Sequence, residues 1–123
     1  MTASRQVLGA AGEDAVAARY IALGFTVLDR NWRDGRRGEI DLVLRDRSLV
    51  VACEVKTRSS TAFGDGAEAI THAKQLRMRR VATAWAMAHR DELGWVDLRI
   101  DVAVVRWPRG AAVPEIEVIE GAC

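Results

Sequence analysis

In the first half of the chain, the spacing of apolar residues is first typical of a helix and then typical of strands. Residues 4–23, "SRQVLGAAGEDAVAARYIAL", are rich in alanine and have apolar positions near the helical period, so they predict a helix that ends at Gly24. Residues 25–32 contain aromatic and β-branched side chains and predict a strand. After the loop "RDGRRG" at 33–38, residues 39–46 and 49–56 predict a β-hairpin.

The second half of the chain predicts one more long helix and two strands. Residues 57–69 predict a loop with one helical turn, and Thr71 suits the N-cap of a helix at 72–91 that stops at Gly94. Residues 95–107 predict a strand ended by Pro108, and residues 115–120 predict a short edge strand. The order αβββαββ therefore predicts an α/β fold, in which a mixed central sheet is flanked by helices.

Length and composition narrow the class of protein. A chain of 123 residues predicts a single domain over 1–123, and 50% hydrophobic with 28% charged residues is typical of a globular protein. The net charge of +1 provides no general attraction for nucleic acid, so such binding would depend on local clusters. With two cysteines, no signal-peptide pattern and no apolar run near 20 residues, we expect a soluble cytoplasmic protein that does not enter the membrane.

The predicted hairpin, "EIDLVLRDRSLVVACEVK", carries charges among its most apolar positions. Strand side chains alternate between faces, and a turn near 46–49 suggests pairs whose residue numbers add up to about 95. In that register Asp41 lies opposite Glu54, and Glu39 lies opposite Lys56. The other face is then uniformly apolar, and it contains Ile40, Leu42, Leu44, Leu49, Val51, Cys53 and Val55.

Two facing carboxylates suggest a metal site. Directly opposed side chains are roughly 4.5–5.5 Å apart, and like charges at that distance destabilise a sheet unless a cation lies between them. Oxygen ligands of this kind suit Mg²⁺ or Mn²⁺, and Lys56 on the same face could stabilise negative charge beside the metal. The same pattern also suits a surface hairpin whose charges form solvated ion pairs, and the alternation alone leaves both interpretations open.

The charged residues of the hairpin also carry a family resemblance. An aspartate on one strand followed by Glu-X-Lys on the next resembles the catalytic core of the PD-(D/E)XK, or restriction-endonuclease-like, superfamily. Asp41 matches the first acid and Glu54-Val55-Lys56 the second half, while Ile40 stands where the motif has proline. From about residue 9 to 105, the segments "GEDAVAARYIALGFTVLDRNWR", "RRGEIDLVLRD", "VACEVKTRSSTAFGDGAEAI" and "KQLRMRRVA" resemble the bacterial YraN family of endonuclease-like proteins.

The resemblance implies a fold and a set of site residues. The fold is a restriction-endonuclease-like αβββαβ core, related to archaeal Holliday-junction resolvases. Asp41, Glu54 and the main-chain carbonyl of Val55 would bind Mg²⁺ or Mn²⁺, and Glu13 in "GED" of the first helix would join them. The implied catalytic residues are thus Glu13, Asp41, Glu54 and Lys56.

Basic residues near the predicted site suggest contacts with a nucleic-acid backbone. Arg36 and Arg37 precede the acids and Arg58 follows them, so phosphate contact is favoured over a merely solvated loop. Lys74 and Arg77 on the second helix are further candidates, whereas for Arg79 a solvated helix face is the preferred interpretation.

We expect a metal-dependent nuclease that hydrolyses phosphodiester bonds in DNA, selected by its branched or single-strand-containing structure rather than by its sequence. The alternative is a nucleic-acid-binding module of the same fold that cuts little or nothing by itself. An adaptor without nucleic-acid contact is least favoured because it leaves the charged set unexplained. The small core leaves a homodimer open.

Overall fold

The computed structural model describes residues 2–59 and 70–123, with the side chains of residues 2–6 left out. Most of the loop predicted at 57–69, with its helical turn, therefore lies outside the described residues. The helices are α1 (Thr2–Ala22), α2 (His72–Ala88) and α3 (Arg90–Leu93), and the strands are β1 (Thr26–Arg33), β2 (Glu39–Asp46), β3 (Leu49–Arg58), β4 (Asp97–Arg106) and β5 (Glu115–Ile119).

These elements confirm the predicted αβββαβ order followed by an edge strand. One boundary differs, because the helix predicted at 72–91 is divided at His89 into α2 and α3. The backbone of His89 leaves the helical region, with φ −112° and ψ 12°, and its ring stacks on Trp85 at 4.2 Å. In the two described ranges, the helices do not combine the length and apolar character that a bilayer crossing requires.

The strands form one mixed sheet in the order β1-β2-β3-β4-β5. Only β3 and β4 run parallel, and α2 with α3 connects them, while every other neighbouring pair is antiparallel. The carboxyl end of β3 and the amino end of β2 thereby lie at the same end of the sheet. This end carries Asp41, Glu54 and Lys56.

Helices cover both faces of the sheet and divide the core into two layers. Val16, Ala17 and Tyr20 of α1 pack on one face, and Val81, Ala82 and Trp85 of α2 pack on the other. Because the central strands are buried on both faces, they contain long apolar runs rather than a strict alternation of apolar and polar residues.

The β2–β3 register is the predicted one. Leu42 pairs with Cys53 and Val43 with Ala52, so that paired residue numbers add up to 95. Leu42 and Cys53 face α1, and Val43 and Ala52 face α2. One part of the prediction is wrong: Ile40 packs with Val43 in the layer under α2, not with Leu42 under α1.

A buried carboxylate joins α1 to the sheet. Asp101 of β4 is 0% exposed and accepts a hydrogen bond of 2.6 Å from the Tyr20 hydroxyl. It also accepts bonds from Arg99 Nε at 2.9 Å and from the Gly121 main-chain N–H at 3.0 Å. Burial, the Cys53 thiol and this carboxylate together raise the pKa of Tyr20 above its ordinary value. Asp101 therefore fixes α1, β4 and the segment after β5 relative to one another.

We expect Asp101→Asn to lower the free energy of unfolding by about 2–4 kcal/mol. All partners of Asp101 are donors, so an amide nitrogen in its place leaves one of them unsatisfied and leaves Arg99 without its buried counter-charge. Urea denaturation measures the effect. The control is Glu117→Gln, because Glu117 is 47% exposed and lies 3.6 Å from Arg106, and we expect a change within about 0.5 kcal/mol. Equal losses in the two variants would contradict the anchoring role of Asp101.

Candidate functional site

Two of the predicted acids, Asp41 and Glu54, and the predicted Lys56 line one cleft of about 340 Å³ at the end of the sheet. We call it the site cleft. Its walls come from the start of β2, the carboxyl half of β3 and the first half of α2. The residues that line it are Gly38, Glu39, Asp41, Glu54, Val55, Lys56 and Arg77.

Asp41 is a half-buried carboxylate among other acids. Its Oδ2 accepts a hydrogen bond of 2.7 Å from the main-chain N–H of Val55, which fixes the carboxylate against β3. Burial raises the pKa of Asp41 to about 6, and the Val55 bond opposes this rise. The nearby carboxylates of Glu13, Glu54 and Glu39 also contribute to this rise of the pKa. Asp41 is thus held where negative charge accumulates.

Glu54 differs from Asp41 because nearby cations offset the negative charge of its carboxylate. Lys56 Nζ lies 3.1 Å from Glu54 Oε1, and Arg77 Nη2 of α2 lies 3.8 Å from the same oxygen. The Glu54 side chain is only 20% exposed, so solvent screens these pairs less than it would on an open surface. Arg77 therefore reaches the site from the α2 layer of the fold.

The predicted pairing of Glu39 with Lys56 is wrong. The regular β2–β3 ladder ends at Leu42 and Cys53, one step before Asp41 and Glu54 would pair. Glu39 Oε2 instead lies 3.0 Å from Arg33 Nε of β1, and Lys56 turns to Glu54. Beyond the last pair of the ladder, the Asp41 side chain accepts a hydrogen bond from the Val55 amide.

Glu13 of α1 lies close enough to affect Asp41, although it does not line the site cleft. Burial raises the pKa of Glu13, a side-chain hydrogen bond to Asn31 and the charge of Arg30 lower it, and Glu39 raises it. The preceding Gly12 permits this position, because a Cβ there would overlap Thr57 Oγ1 of β3. The helix could not approach the sheet so closely with any other residue at 12.

Asn31 is a site residue that the sequence reasoning missed. It adopts a left-handed backbone with φ 50° inside β1, and it lies across from Asp41, since Arg30 pairs with Leu42 and Trp32 with Ile40. The strand alternation is broken at this point, which is why Ile40 faces α2 while Leu42 faces α1. Asparagine tolerates this conformation but is disfavoured in strands. An asparagine within the strand predicted at 25–32 was therefore the available signal.

The five residues predicted to bind nucleic acid do not all lie together. Arg77 lines the site cleft, but Arg36 and Arg58 are exposed outside its lining, and the Lys74 main-chain N–H bonds to the N-cap Thr71. Arg37 lies 3.2 Å from Asp34 and lines a different cleft. The structure therefore brings together Asp41, Glu54, Val55, Lys56 and Arg77, with Glu13 beside them.

The oxygen atoms of the site cleft fit a small divalent cation that keeps much of its water. Among residues 7–59 and 70–123, no three His, Cys, Asp or Glu side chains form a ready-made metal cage. Mg²⁺, however, usually takes only one or two carboxylates and retains several waters. Asp41 and Glu54 supply that number, and the concentration of acids around Asp41 favours a cation there.

We expect Asp41→Asn to raise the melting temperature of the metal-free protein at pH 7.5. Folding raises the pKa of Asp41 from 3.8 to about 6, so the folded state keeps a proton that the unfolded state has lost. The free energy of unfolding then falls as pH rises between these values, and the charged carboxylate costs on the order of 1–3 kcal/mol above pH 6. Calorimetry in EDTA at pH 4 and pH 7.5 measures the gain, which should be larger at pH 7.5. Asp46→Asn, at the other end of β2, controls for the loss of one charge.

A second prediction concerns Asn31. Asn31→Gly permits the same φ but removes the hydrogen bond to Glu13, so we expect a higher pKa of Glu13 with little change in stability. An NMR titration of the Glu13 carboxyl carbon measures this pKa. Arg47→Gly is the matched control, because Arg47 has φ 56° in the β2–β3 turn. A Glu13 pKa that is the same in both variants would contradict the role of Asn31.

Comparison with known proteins places the chain in a family. The model of "Uncharacterised protein family UPF0102" matches residues 12–105. A UPF0102 protein of Clavibacter michiganensis is 47% identical over 118 residues, which cover 96% of this chain and 97% of the relative. UPF0102 proteins of Frankia casuarinae and Streptomyces coelicolor are 44% and 45% identical, over 97% and 91% of this chain and over 98% and 86% of their own lengths. The chain therefore belongs to the UPF0102 family, which is the YraN family that its sequence segments resemble.

Proposed function

We propose that this protein is a metal-dependent nuclease that hydrolyses phosphodiester bonds in DNA. The observation that carries the proposal is the composition of the site cleft, where the carboxylates of Glu39, Asp41 and Glu54 and two cations converge at one end of the sheet. A phosphodiester needs both, since the acids hold a divalent cation and the basic groups bind the phosphate oxygens.

Four groups would hold one or two Mg²⁺ or Mn²⁺ ions. Asp41 and Glu54 supply carboxylate oxygens, Val55 supplies its main-chain carbonyl, and Glu13 binds from the α1 side. The hydrogen bond from the Val55 amide to Asp41 keeps one carboxylate oriented before a cation arrives. Such a cation lowers the pKa of water and stabilises charge on phosphate oxygens.

Lys56 and Arg77 would act on the phosphate. In the free protein both neutralise Glu54. When Glu54 serves as a metal ligand, the Lys56 ammonium can orient the attacking water or stabilise the negative charge that grows on the phosphate oxygens. Arg77, whose side chain is 50% exposed, can bind a non-bridging oxygen from α2.

The proposed substrate is DNA with branched or single-stranded structure, because the described site offers phosphate-binding groups rather than a set of side chains for reading bases. Two chains acting together would present two site clefts to a branched substrate. Cys53 and Cys123 are both free thiols, which suits the reducing cytoplasm.

A second candidate function is a nucleic-acid-binding module that cuts little by itself. The compensated state of Glu54 favours it, because a cation must compete with Lys56 and Arg77 for that carboxylate. In this case a partner protein or a particular DNA structure would have to displace the two side chains before cleavage.

We expect Mg²⁺ or Mn²⁺ to support cleavage of junction, flap or single-stranded DNA. Asp41→Ala and Glu54→Ala should each reduce the single-turnover rate by at least about 100-fold, and Lys56→Ala by on the order of 100-fold. Mg²⁺ should also raise the melting temperature of the unaltered protein but not that of Asp41→Ala, which reports metal binding without reference to activity. Asp46→Asn is the control and should retain both responses.

Two results would separate the candidate functions. DNA binding without cleavage of any substrate, unchanged by metal and by loss of Asp41 or Glu54, would support the binding module and reject the nuclease. Absence of DNA binding under all conditions would reject both. The mass of the protein–DNA complex in sedimentation shows whether one or two chains bind.

A further inference from the structure

We infer that a second cleft, beside α2, binds the sugar–phosphate backbone of the strand that the site cleft would cut. This inference rests on the proposed function and extends it to a substrate-positioning surface. The second cleft is open, has a volume of about 860 Å³, and is separate from the site cleft. We call it the arginine cleft, and the residues that matter in it are Asp34, Arg37, Arg79, Arg80, Thr83 and Met87.

The charge on α2 is the first argument. Its 17 residues include one lysine and three arginines but no acid, so no acidic residue of the helix offsets them. Like charges three residues apart, such as Arg77 and Arg80, destabilise a helix. Arg77 gains compensation from Glu54 across the site cleft. Arg79 and Arg80 are exposed and take part in none of the ion pairs formed within residues 7–59 and 70–123. An anion from outside would offset them.

The opposite wall of the arginine cleft holds a third arginine in place. Arg37 Nη1 lies 3.2 Å from Asp34 Oδ2, and the Arg37 main-chain N–H donates to the Asp34 carbonyl at 2.9 Å. The Asp34 N–H donates to the Gly38 carbonyl at 3.0 Å and closes the turn. The lining therefore contains three guanidinium groups and one carboxylate, and the carboxylate orients Arg37 across from α2. Guanidinium groups suit phosphate because they can donate two parallel hydrogen bonds.

The two clefts are neighbours along both of their walls. Gly38 lines the site cleft, directly follows Arg37 of the arginine cleft, and lies against Arg77 and Val81 of α2. On the helix side, Arg77 of one cleft and Arg80 of the other are three residues apart, which places their Cβ atoms about 5–6 Å apart. Successive phosphates advance by about 3.4 Å along one strand of a duplex. A strand bound at the site cleft therefore passes the arginine cleft within a few nucleotides.

This continuity favours nucleic acid over an acidic protein segment as the occupant. An acidic segment could offset the positive charge of the arginines. It would not explain why the basic surface is continuous with the proposed cutting site. The Thr83 hydroxyl adds a neutral donor to the same wall, as backbone-binding surfaces often do.

The test is DNA binding by the full chain in EDTA, which removes cleavage from the measurement. Fluorescence anisotropy at several salt concentrations gives the affinity and its salt dependence for Arg79→Gln, Arg80→Gln and the double variant. We expect each single change to weaken binding about three- to ten-fold and to reduce the slope of log Kd against log salt by about 0.7–1. Arg47→Gln removes one exposed arginine at the β2–β3 turn, remote from both clefts, and should change neither quantity. Melting temperatures should match the unaltered protein.

A series of single-stranded oligonucleotides, from about 4 to 16 nucleotides, adds a positional test. The unaltered protein should gain affinity when the oligonucleotide becomes long enough to reach the arginine cleft, and the double variant should lack this gain. If Arg79 and Arg80 variants behave like Arg47→Gln while Lys56→Ala weakens binding, this inference is overturned and the proposed function stands. If the unaltered protein binds no DNA, both are overturned. Equal competition by polyglutamate of the same charge would overturn the nucleic-acid assignment of the cleft.

Discussion

The pairing of β2 with β3 is the constraint on which both the core and the candidate site depend. Since side chains alternate along a strand, a shift of one residue would exchange the layers under α1 and α2. The pairing of Leu42 with Cys53 sets both layers at once. It also brings Asp41 to the level at which its carboxylate reaches the Val55 amide. The ladder ends there, and the site cleft lies at this end of the two strands.

Asp41 and Glu54, two of the carboxylates of this cleft, are stabilised unequally. Glu54 has Lys56 and Arg77 within 4 Å, so its charge is balanced inside the chain. Asp41 is half-buried near three other acids, and its pKa of about 6 records an unfavourable charge at neutral pH. A fold selected only for stability would not keep such a group. Perturbed carboxylates of this kind are typical of functional sites, and under the proposed function a divalent cation would supply the missing charge.

The sheet separates two contributions to the site. The α1 layer delivers Glu13 through the close approach at Gly12, and it is anchored by the Tyr20–Asp101 bond. The α2 layer delivers Arg77 and continues into a basic surface. Glu13 therefore reaches the site from the α1 side of the sheet and Arg77 from the α2 side, while Asp41, Glu54 and Lys56 belong to the strands between them.

Much of this could be predicted from the sequence, since helical and strand periods fix the order of elements, and the apolar alternation in 39–56 fixes the register. The family segments identify UPF0102, as the comparisons confirm. Such local patterns do not predict contacts between residues that are far apart in the sequence. The alternation is broken at Asp41, which lies across from the left-handed Asn31 of the neighbouring strand, so Ile40 was assigned to the wrong layer. The contact of Arg77 with Glu54 depends on how closely α2 packs against the sheet. The sequence by itself determined which residues carry charge and which elements hold them. Only the tertiary structure decided which charges meet, because salt bridges depend on distances of a few ångströms that local periodicity does not specify.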